Sequence, residues 1–279
     1  MKFAIKSLLS ATTVAAALFS GAAYAGPFIL SGTDADDHGF VNAGVNQDGW
    51  FFMQRAIENL AGAPSLTTTN MVVANLGSTG STAQNAATSA FGLSSLPGAG
   101  WTFQNVDGVA DLTAFFDGSG GVNVNNVGII MMDSASNVPG GTTAAELAIF
   151  TANAAVIDTF LGNGGGLFSQ SNGYGWVASL LPGLTVTGEF TTGINLTAAG
   201  NAAFPGLTNA DLGSGPYHNR FDNFGGLSVF GTSNATNNAI IIGAAGGSVT
   251  NPTPIPTPAP IALLAGGLIA LGFVRRRFR

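Results

Sequence analysis

Short apolar runs recur along residues 26–247, and most are followed by polar turn residues and then by a segment of helical period. The run at 127–132 is apolar without interruption, which is typical of a strand that is covered on both faces. Strand signals of this kind are found at residues 28–30, 71–74, 102–106, 127–132 and 166–169. The pattern therefore predicts strands that alternate with helices along the chain.

Apolar residues spaced by three and four positions between Trp50 and Leu60 predict a helix with one buried stripe. Arg55 and Glu58 lie on the opposite side of this helix, so we expect them to face away from the core. A weaker helical pattern covers residues 83–91. A helix is thus expected after each of the first two strands.

The clearest helix signal begins at Thr143, because Glu146 stands three residues later and the two residues form a capping box. An apolar stripe continues from there to Leu161, and Gly162 ends the helix. A further helix is predicted at 174–181. Together with the strands, this order predicts an α/β fold with a single doubly wound, mostly parallel sheet that has helices on both faces.

Charged residues are scarce, at 8% of the 279 residues, and they are unevenly placed. Arg55 and Arg220 are the only bases between residues 26 and 274, whereas all 14 acids fall there, so this part carries a formal charge of −12. A body this acidic argues against nucleic acid as a partner, because binding would need cations to displace the counterions. The absence of cysteine excludes a zinc–thiolate site, disulfides and a cysteine nucleophile.

The first 25 residues have the pattern of a cleavable signal peptide. Lys2 and Lys6 precede an apolar stretch at 8–23, and small residues flank a cleavage position after Ala25. Residues 1–25 therefore predict export, with Sec-type export machinery and signal peptidase as the first partners. The exported domain is expected at 26–247.

The other end of the chain combines a spacer with a membrane anchor. Alternating prolines make residues 248–260 a stiff, extended linker, and the uncharged segment 261–274 is predicted to be a transmembrane helix. Arg275, Arg276 and Arg277 follow it, which places the carboxyl end on the cytoplasmic side of the inner membrane. The bulk of the chain would then lie outside the cytoplasm.

The order of a proline motif, a short apolar helix and an arginine cluster at 258–279 resembles the PEP-CTERM sorting signal of Gram-negative bacteria. Pro258, Ala259 and Pro260 occupy the motif, with Ala259 in the place of the family's glutamate. The resemblance implies an exosortase-like membrane protease as a partner, and a final location in the cell envelope or in extracellular polysaccharide. An uncut single-pass anchor is the alternative.

The stretch 28–39, the helix that begins near Trp50, the glycine-rich strand 164–169 and the segment 207–212 resemble a class I glutamine-amidotransferase-like domain of flavodoxin type. This likeness implies a fold more strongly than an activity. The amidotransferases carry a cysteine on the turn between strand and helix, and this chain has none.

Acidic residues directly after the first strand form a candidate cation site. Asp34, Asp36, Asp37 and His38 crowd into five positions, and Asp133 ends the 127–132 strand and would approach from the same edge of the sheet. We take Asp34, Asp36, His38 and Asp133 as candidate ligands of a divalent cation such as calcium, and we expect no other cofactor. The alternative is a solvated turn whose aspartates cap backbone amides.

A serine near the end of the last predicted parallel strand is the candidate nucleophile. Ser171 lies on the turn between strand and helix, and His218 could act as its base, oriented by Asp211, Asp222 or Glu189. The alternative is a polar turn in which the serine caps helix amides.

Two function hypotheses follow. The first is an exported, envelope-targeted protein whose domain is a non-catalytic binding or structural module, associated with extracellular polymer or biofilm. The second is a secreted hydrolase that uses Ser171 and His218, or a cation-dependent one that uses Asp34 and Asp36. The glycine-rich turn 77–82 lacks the lysine of a phosphate-binding loop, so nucleotide binding is not expected.

Overall fold

The computed structural model describes residues 26–170, 173–213 and 215–244. Its strands are β1 (Phe28–Ser31), β2 (Gly39–Asn42), β3 (Val45–Gln47), β4 (Val72–Leu76), β5 (Thr102–Val106), β6 (Ile129–Met132), β7 (Gly166–Ser169), β8 (Thr185–Thr192), β9 (Ile194–Leu196), β10 (Pro216–Asp222), β11 (Ser228–Ser233) and β12 (Ala239–Ala244). Its α-helices are α1 (Asp48–Ala61), α2 (Thr82–Gly92), α3 (Val109–Asp117), α4 (Ala144–Ala152), α5 (Ala154–Gly162), α6 (Val177–Leu180) and α7 (Ala198–Ala203). Short 3-10 helices lie at Pro97–Ala99, Ala135–Asn137 and Tyr174–Trp176.

The centre of the main sheet is parallel, in the order β5-β4-β6-β7-β1. Numbered along the chain, β4 to β7 give the order 2-1-3-4, and the amino-terminal strand β1 takes the fifth position. This arrangement is consistent with a flavodoxin-like fold, whose strand order is 2-1-3-4-5. The predicted α/β class with a mostly parallel central sheet is confirmed.

Helices cover both faces of the parallel strands, and the side chains of each strand divide between two cores. Ile29 of β1 packs with α1, α2 and α7 on one face, whereas its neighbours Phe28 and Leu30 pack with α3, α4, α5 and α6 on the other. Met131 and Met132 of β6 divide in the same way. Because successive side chains point to opposite faces of a sheet, uninterrupted apolar strands are required here.

An antiparallel extension, which the sequence analysis did not predict, widens the sheet beyond β1. Strand β12 pairs with β1, β10 and β11, while β8 pairs with β10 and β9 pairs with β11. A bridge between Thr33 and Tyr217 joins the end of β1 to β10, and the backbone N–H of His218 donates to the carbonyl of Gly32 at 2.7 Å. Residues 184 positions apart are thereby placed side by side.

Helix α1 forms as predicted, but the expectation that Arg55 and Glu58 face away from the core is wrong. Their exposed fractions are only 4% and 5%, and Arg55 Nη1 lies 2.7 Å from Glu58 Oε2. Glu58 Oε1 also accepts the backbone N–H of Ser95 at 2.8 Å. The ion pair and this hydrogen bond offset the cost of burying both charges.

The capping box of Thr143 and Glu146 is confirmed, but the single helix predicted to run to Gly162 is two helices. Helices α4 and α5 meet at Asn153 with a bend of 58°. The Asn153 side chain donates to the carbonyl of Ile149 at 2.9 Å, which gives the end of α4 a side-chain partner. The predicted apolar stripe thus continues from α4 into α5, although the helix itself is interrupted at Asn153.

No single helix among the described residues is long and apolar enough to cross a membrane, although the bent pair α4–α5 meets the length and composition criteria when taken together. The predicted signal peptide 1–25, linker 248–260 and transmembrane helix 261–274 lie outside the described residues, as does the sorting motif with its arginines.

Candidate functional site

Buried polar side chains follow the parallel strands at the carboxyl edge of the sheet. Asp34 comes after β1, Ser78 after β4, Asp133 after β6 and Gln170 after β7, and each is at most 3% exposed. The carboxyl edge is where ligands bind in open α/β sheets. Hydrogen bonds place Ser78 and Asp133 in one group of side chains and Asp34 in another.

The first group fills the crevice between β4 and β6, where the chain reverses the direction in which strands are added. Asp133 Oδ2 accepts the Ser78 hydroxyl at 2.7 Å, and Oδ1 accepts the Thr142 hydroxyl at 2.7 Å and the Ala135 N–H at 2.8 Å. The Thr142 N–H also donates to Asp133. Both carboxylate oxygens are therefore saturated by protein donors, across the position where flavodoxin-like folds bind their ligands.

The backbone around Asp133 allows its hydrogen-bond donors to approach closely. Gly77 has a φ of +85°, and a Cβ at this position would lie 2.3 Å from the Thr142 hydroxyl oxygen. Burial raises the pKa of the Asp133 carboxyl, although its hydrogen bonds from Thr142, Ser78 and Ala135 act in the opposite direction. Asp133 thus has the surroundings of a structural carboxylate.

Asp36 is fully buried and is tied to the same loop. The backbone N–H and the hydroxyl of Ser134 donate to its two oxygens at 2.8 and 2.6 Å. Burial, followed by the charge of Asp133, raises the pKa of Asp36 to about 7, against the lowering effect of the Ser134 hydrogen bonds. We call Asp36 and Asp133, with their partners Ser78, Ser134, Ala135 and Thr142, the closed acidic pair.

The second group consists of Asp34, Asp37, His38 and His218, which we call the Asp34 cluster. His38 Nε2 lies 3.3 Å and His218 Nε2 lies 3.0 Å from the same oxygen, Asp34 Oδ2. Asp34, Asp37 and His38 each offer one ligand atom, and these three atoms lie within 4.8 Å of one another. The Asp34 side chain is 4% exposed and the two histidines are 29% and 21% exposed, so the cluster reaches solvent through its imidazoles.

Local backbone structure explains how these side chains converge. The N–H of Asp37 donates to the carbonyl of Asp34 at 2.9 Å, and the N–H of His38 donates to that of Ala35 at 3.3 Å, which closes a tight turn after β1. The bridge from β10 brings His218 to the same turn. The ring of Phe190 stands edge-on to the His218 imidazole, with centroids 5.5 Å apart.

The structure brings only part of the predicted cation set together. Asp34 and His38 are neighbours, whereas the oxygens of Asp36 and Asp133 face hydroxyl and backbone donors. His218, which the sequence analysis assigned to a serine, joins Asp34 instead. The chain contains just two histidines, His38 and His218. Their scarcity was the one sequence feature that could have suggested a shared site.

The residues proposed for a hydrolase site are dispersed where they are described. Ser171 lies outside the described residues. Asp211 accepts the N–H and the hydroxyl of Thr208, both at 2.7 Å. Glu189 and Asp222 flank Arg220, at 3.3 and 3.1 Å. The acid that contacts His218 is therefore Asp34, which was predicted to be a cation ligand.

Comparisons of the chain with protein-family models, with curated proteins and with solved structures found no match.

Proposed function

We propose that this chain is an exported, envelope-retained protein whose α/β domain is a non-catalytic binding module, with the Asp34 cluster as its ligand site. The observation that carries the binding role is the convergence of both histidines of the chain on one oxygen of Asp34. A cluster that mixes carboxylate and imidazole and reaches solvent through its histidines at the carboxyl edge is suited to holding a ligand.

The proposed location is supported by the pattern of the two chain ends. An amino-terminal segment of signal-peptide type, together with a proline linker, an apolar segment and arginines at 275–277, fits export followed by retention at the membrane. The resemblance of 258–279 to a sorting signal implies extracellular polysaccharide as a final location, and we include it in the proposal. The acidic body separately disfavours nucleic acid and anionic lipid headgroups as partners.

Cell fractionation followed by mass spectrometry of the intact protein tests this proposal at both ends. We expect a protein in the envelope fraction that lacks residues 1–25. Loss of about 20 carboxyl-terminal residues would support cleavage by an exosortase, whereas an intact Arg279 would support a permanent anchor. A full-length chain with Met1 in the cytosol would refute export.

A second candidate function, a secreted hydrolase, is favoured by one specific contact. The 3.0 Å contact between Asp34 Oδ2 and His218 Nε2 is the arrangement by which an acid orients a catalytic base. Fluorophosphonate labelling of the purified protein tests it. Labelling that is lost in Ser171→Ala and retained in Ser228→Ala, an exposed serine of β11, would favour the hydrolase. Absence of labelling in the wild-type protein would dismiss a serine nucleophile.

A further inference from the structure

We propose that the Asp34 cluster binds a divalent transition-metal ion of the zinc type, with Asp34, Asp37, His38 and His218 as its ligands. This inference rests on the proposed function, because it names the ligand of the same site. It differs from the calcium expectation in both the ligand set and the metal class.

The spacing of the side chains fits a coordination sphere. Zinc binds imidazole nitrogen and carboxylate oxygen at about 2.0–2.2 Å, so neighbouring ligand atoms around a tetrahedral ion stand roughly 3.3–3.5 Å apart. The two imidazole nitrogens lie 3.3 and 3.0 Å from Asp34 Oδ2, and the ligand atoms of Asp34, Asp37 and His38 lie within 4.8 Å of one another. Asp34, Asp37 and His38 thus stand close enough to share one ion, and His218, which contacts Asp34 Oδ2, is the fourth ligand that we propose.

Asp34 itself gives a second observation. Its side chain is almost fully buried, and its other oxygen, Oδ1, has no hydrogen-bond partner among the described residues. A buried carboxylate oxygen without a partner is costly, and carboxylates in proteins normally saturate their oxygens with donors. Asp36 and Asp133, on the same edge, do so. A cation held by both oxygens of Asp34 would give Oδ1 the partner that it lacks among the described residues.

Charge balance points in the same direction. Arg55 and Arg220 are the only lysine or arginine residues in the described part of the chain, and both are engaged elsewhere, with Glu58 and with Glu189 and Asp222. No ammonium or guanidinium group in that part therefore neutralises the Asp34 cluster. A bound divalent ion would offset its carboxylates.

The donor set selects the class of ion. Two imidazoles and two carboxylates suit zinc and similar first-row divalent ions, whereas calcium takes six to eight oxygen ligands and avoids imidazole. Asp37 is exposed and both histidines are partly exposed, so the ion has a route from solvent. The geometry therefore favours zinc over calcium.

Titration calorimetry of the purified full-length protein with ZnCl₂ tests the inference. The protein should be prepared without a polyhistidine tag and stripped with EDTA, because its own two histidines are the readout. We expect one Zn²⁺ per chain. Asp34→Asn, His38→Ala and His218→Ala should each weaken binding by more than the roughly 10- to 100-fold that loss of an outer-shell partner costs.

Asp37→Asn and Asp158→Asn form a matched pair of variants, since each removes one exposed negative charge. Weaker zinc binding in the first and unchanged binding in the second would support the site. Equal weakening in both would indicate general electrostatic attraction and overturn it. Thermal melts in EDTA check that each variant folds, and the visible spectrum of Co²⁺-loaded protein gives a second readout that should change in both histidine variants.

Three further results would overturn the inference: no stoichiometric Zn²⁺ binding, Zn²⁺ binding that survives both histidine substitutions, and tighter binding of CaCl₂ than of ZnCl₂. Failure here is distinguishable from failure of the proposed function. A protein found in the envelope that binds no zinc would leave the proposed export and binding role standing, whereas a cytosolic protein would refute that role whatever it binds.

Discussion

The closed acidic pair and the Asp34 cluster are two acidic groups at the same edge of one sheet, and they differ in how their oxygens are used. Asp36 stands two residues after Asp34, yet both of its oxygens accept hydrogen bonds from Ser134, as those of Asp133 do from their own neighbours. Asp34 faces two imidazoles with one oxygen, and the part of the chain that the structure describes offers no partner to the other.

This difference shows that proximity in sequence and burial do not decide the role of a carboxylate. The number of donors around it does, because a saturated carboxylate contributes to the fold and has no lone pairs aimed at a ligand. The residue that remains under-satisfied is the one that can gain from binding. Substitutions in the two groups should therefore differ in their effects on stability and on zinc binding.

The largest effect is expected for Asp133→Ala. The substitution leaves the donors of Ser78, Ala135 and Thr142 buried without their acceptor, so we expect a loss of about 3–5 kcal/mol in the free energy of unfolding. Urea unfolding in EDTA measures it. Asp158→Ala, at an exposed position of α5, should change stability by less than about 0.5 kcal/mol. A loss below about 1 kcal/mol in Asp133→Ala would contradict its structural role.

The next effect concerns pH and Asp36. Its pKa in the folded protein is about 7 instead of the ordinary 3.8, because burial and then Asp133 disfavour its charge. A raised pKa means that the folded state holds the proton more tightly, so this contribution to stability is complete below about pH 4 and is lost as the pH rises through about 7.

Asp36→Asn removes that titration while keeping the shape of the side chain. A shift of roughly three pKa units corresponds to about 4 kcal/mol in all, of which about 2–3 kcal/mol falls between about pH 5 and pH 8, so the variant should gain about that much relative to wild type. Urea unfolding at the two pH values, in EDTA, gives the difference, and all other titratable groups are shared by the two proteins. Parallel pH profiles for both proteins would show that Asp36 is not held protonated by the fold.

The parallel half of the fold could be predicted from the sequence because its signals are local. Uninterrupted apolar strands, the Thr143 capping box and the stripe of α1 each depend on neighbours along the chain. The antiparallel half was missed because β8 carries only Val186 and Phe190 as apolar side chains and its pairing with β10 depends on long-range contacts. The burial of Arg55 was also missed, because two charged residues on a helix normally indicate an exposed face, whereas here Arg55 and Glu58 neutralise each other inside the protein.

The site was predicted only as a neighbourhood. The crowding of acids after β1 indicated where to look, and Asp34 and His38 do meet. The assignment of His218 required the bridge between Thr33 and Tyr217, which no local pattern encodes. The roles of Asp36 and Asp133 depend on donors from Ser134 and other residues at the same edge, and a sequence does not show how many donors a buried oxygen will meet.

The smallest effect on stability should come from Asp34→Asn, and it separates the two groups most sharply. In EDTA we expect a change within about 1 kcal/mol, because Asp34 has an unpartnered oxygen and its charge raises the pKa of Asp36, so neutralising it offsets the weaker contact with the histidines. With Zn²⁺ at about 100 times its dissociation constant, wild type should gain about 2.7 kcal/mol and Asp34→Asn should gain nothing. Thermal and urea unfolding with and without ZnCl₂ measure both quantities. A loss in EDTA as large as that of Asp133→Ala would place Asp34 with the closed acidic pair and make it a structural residue.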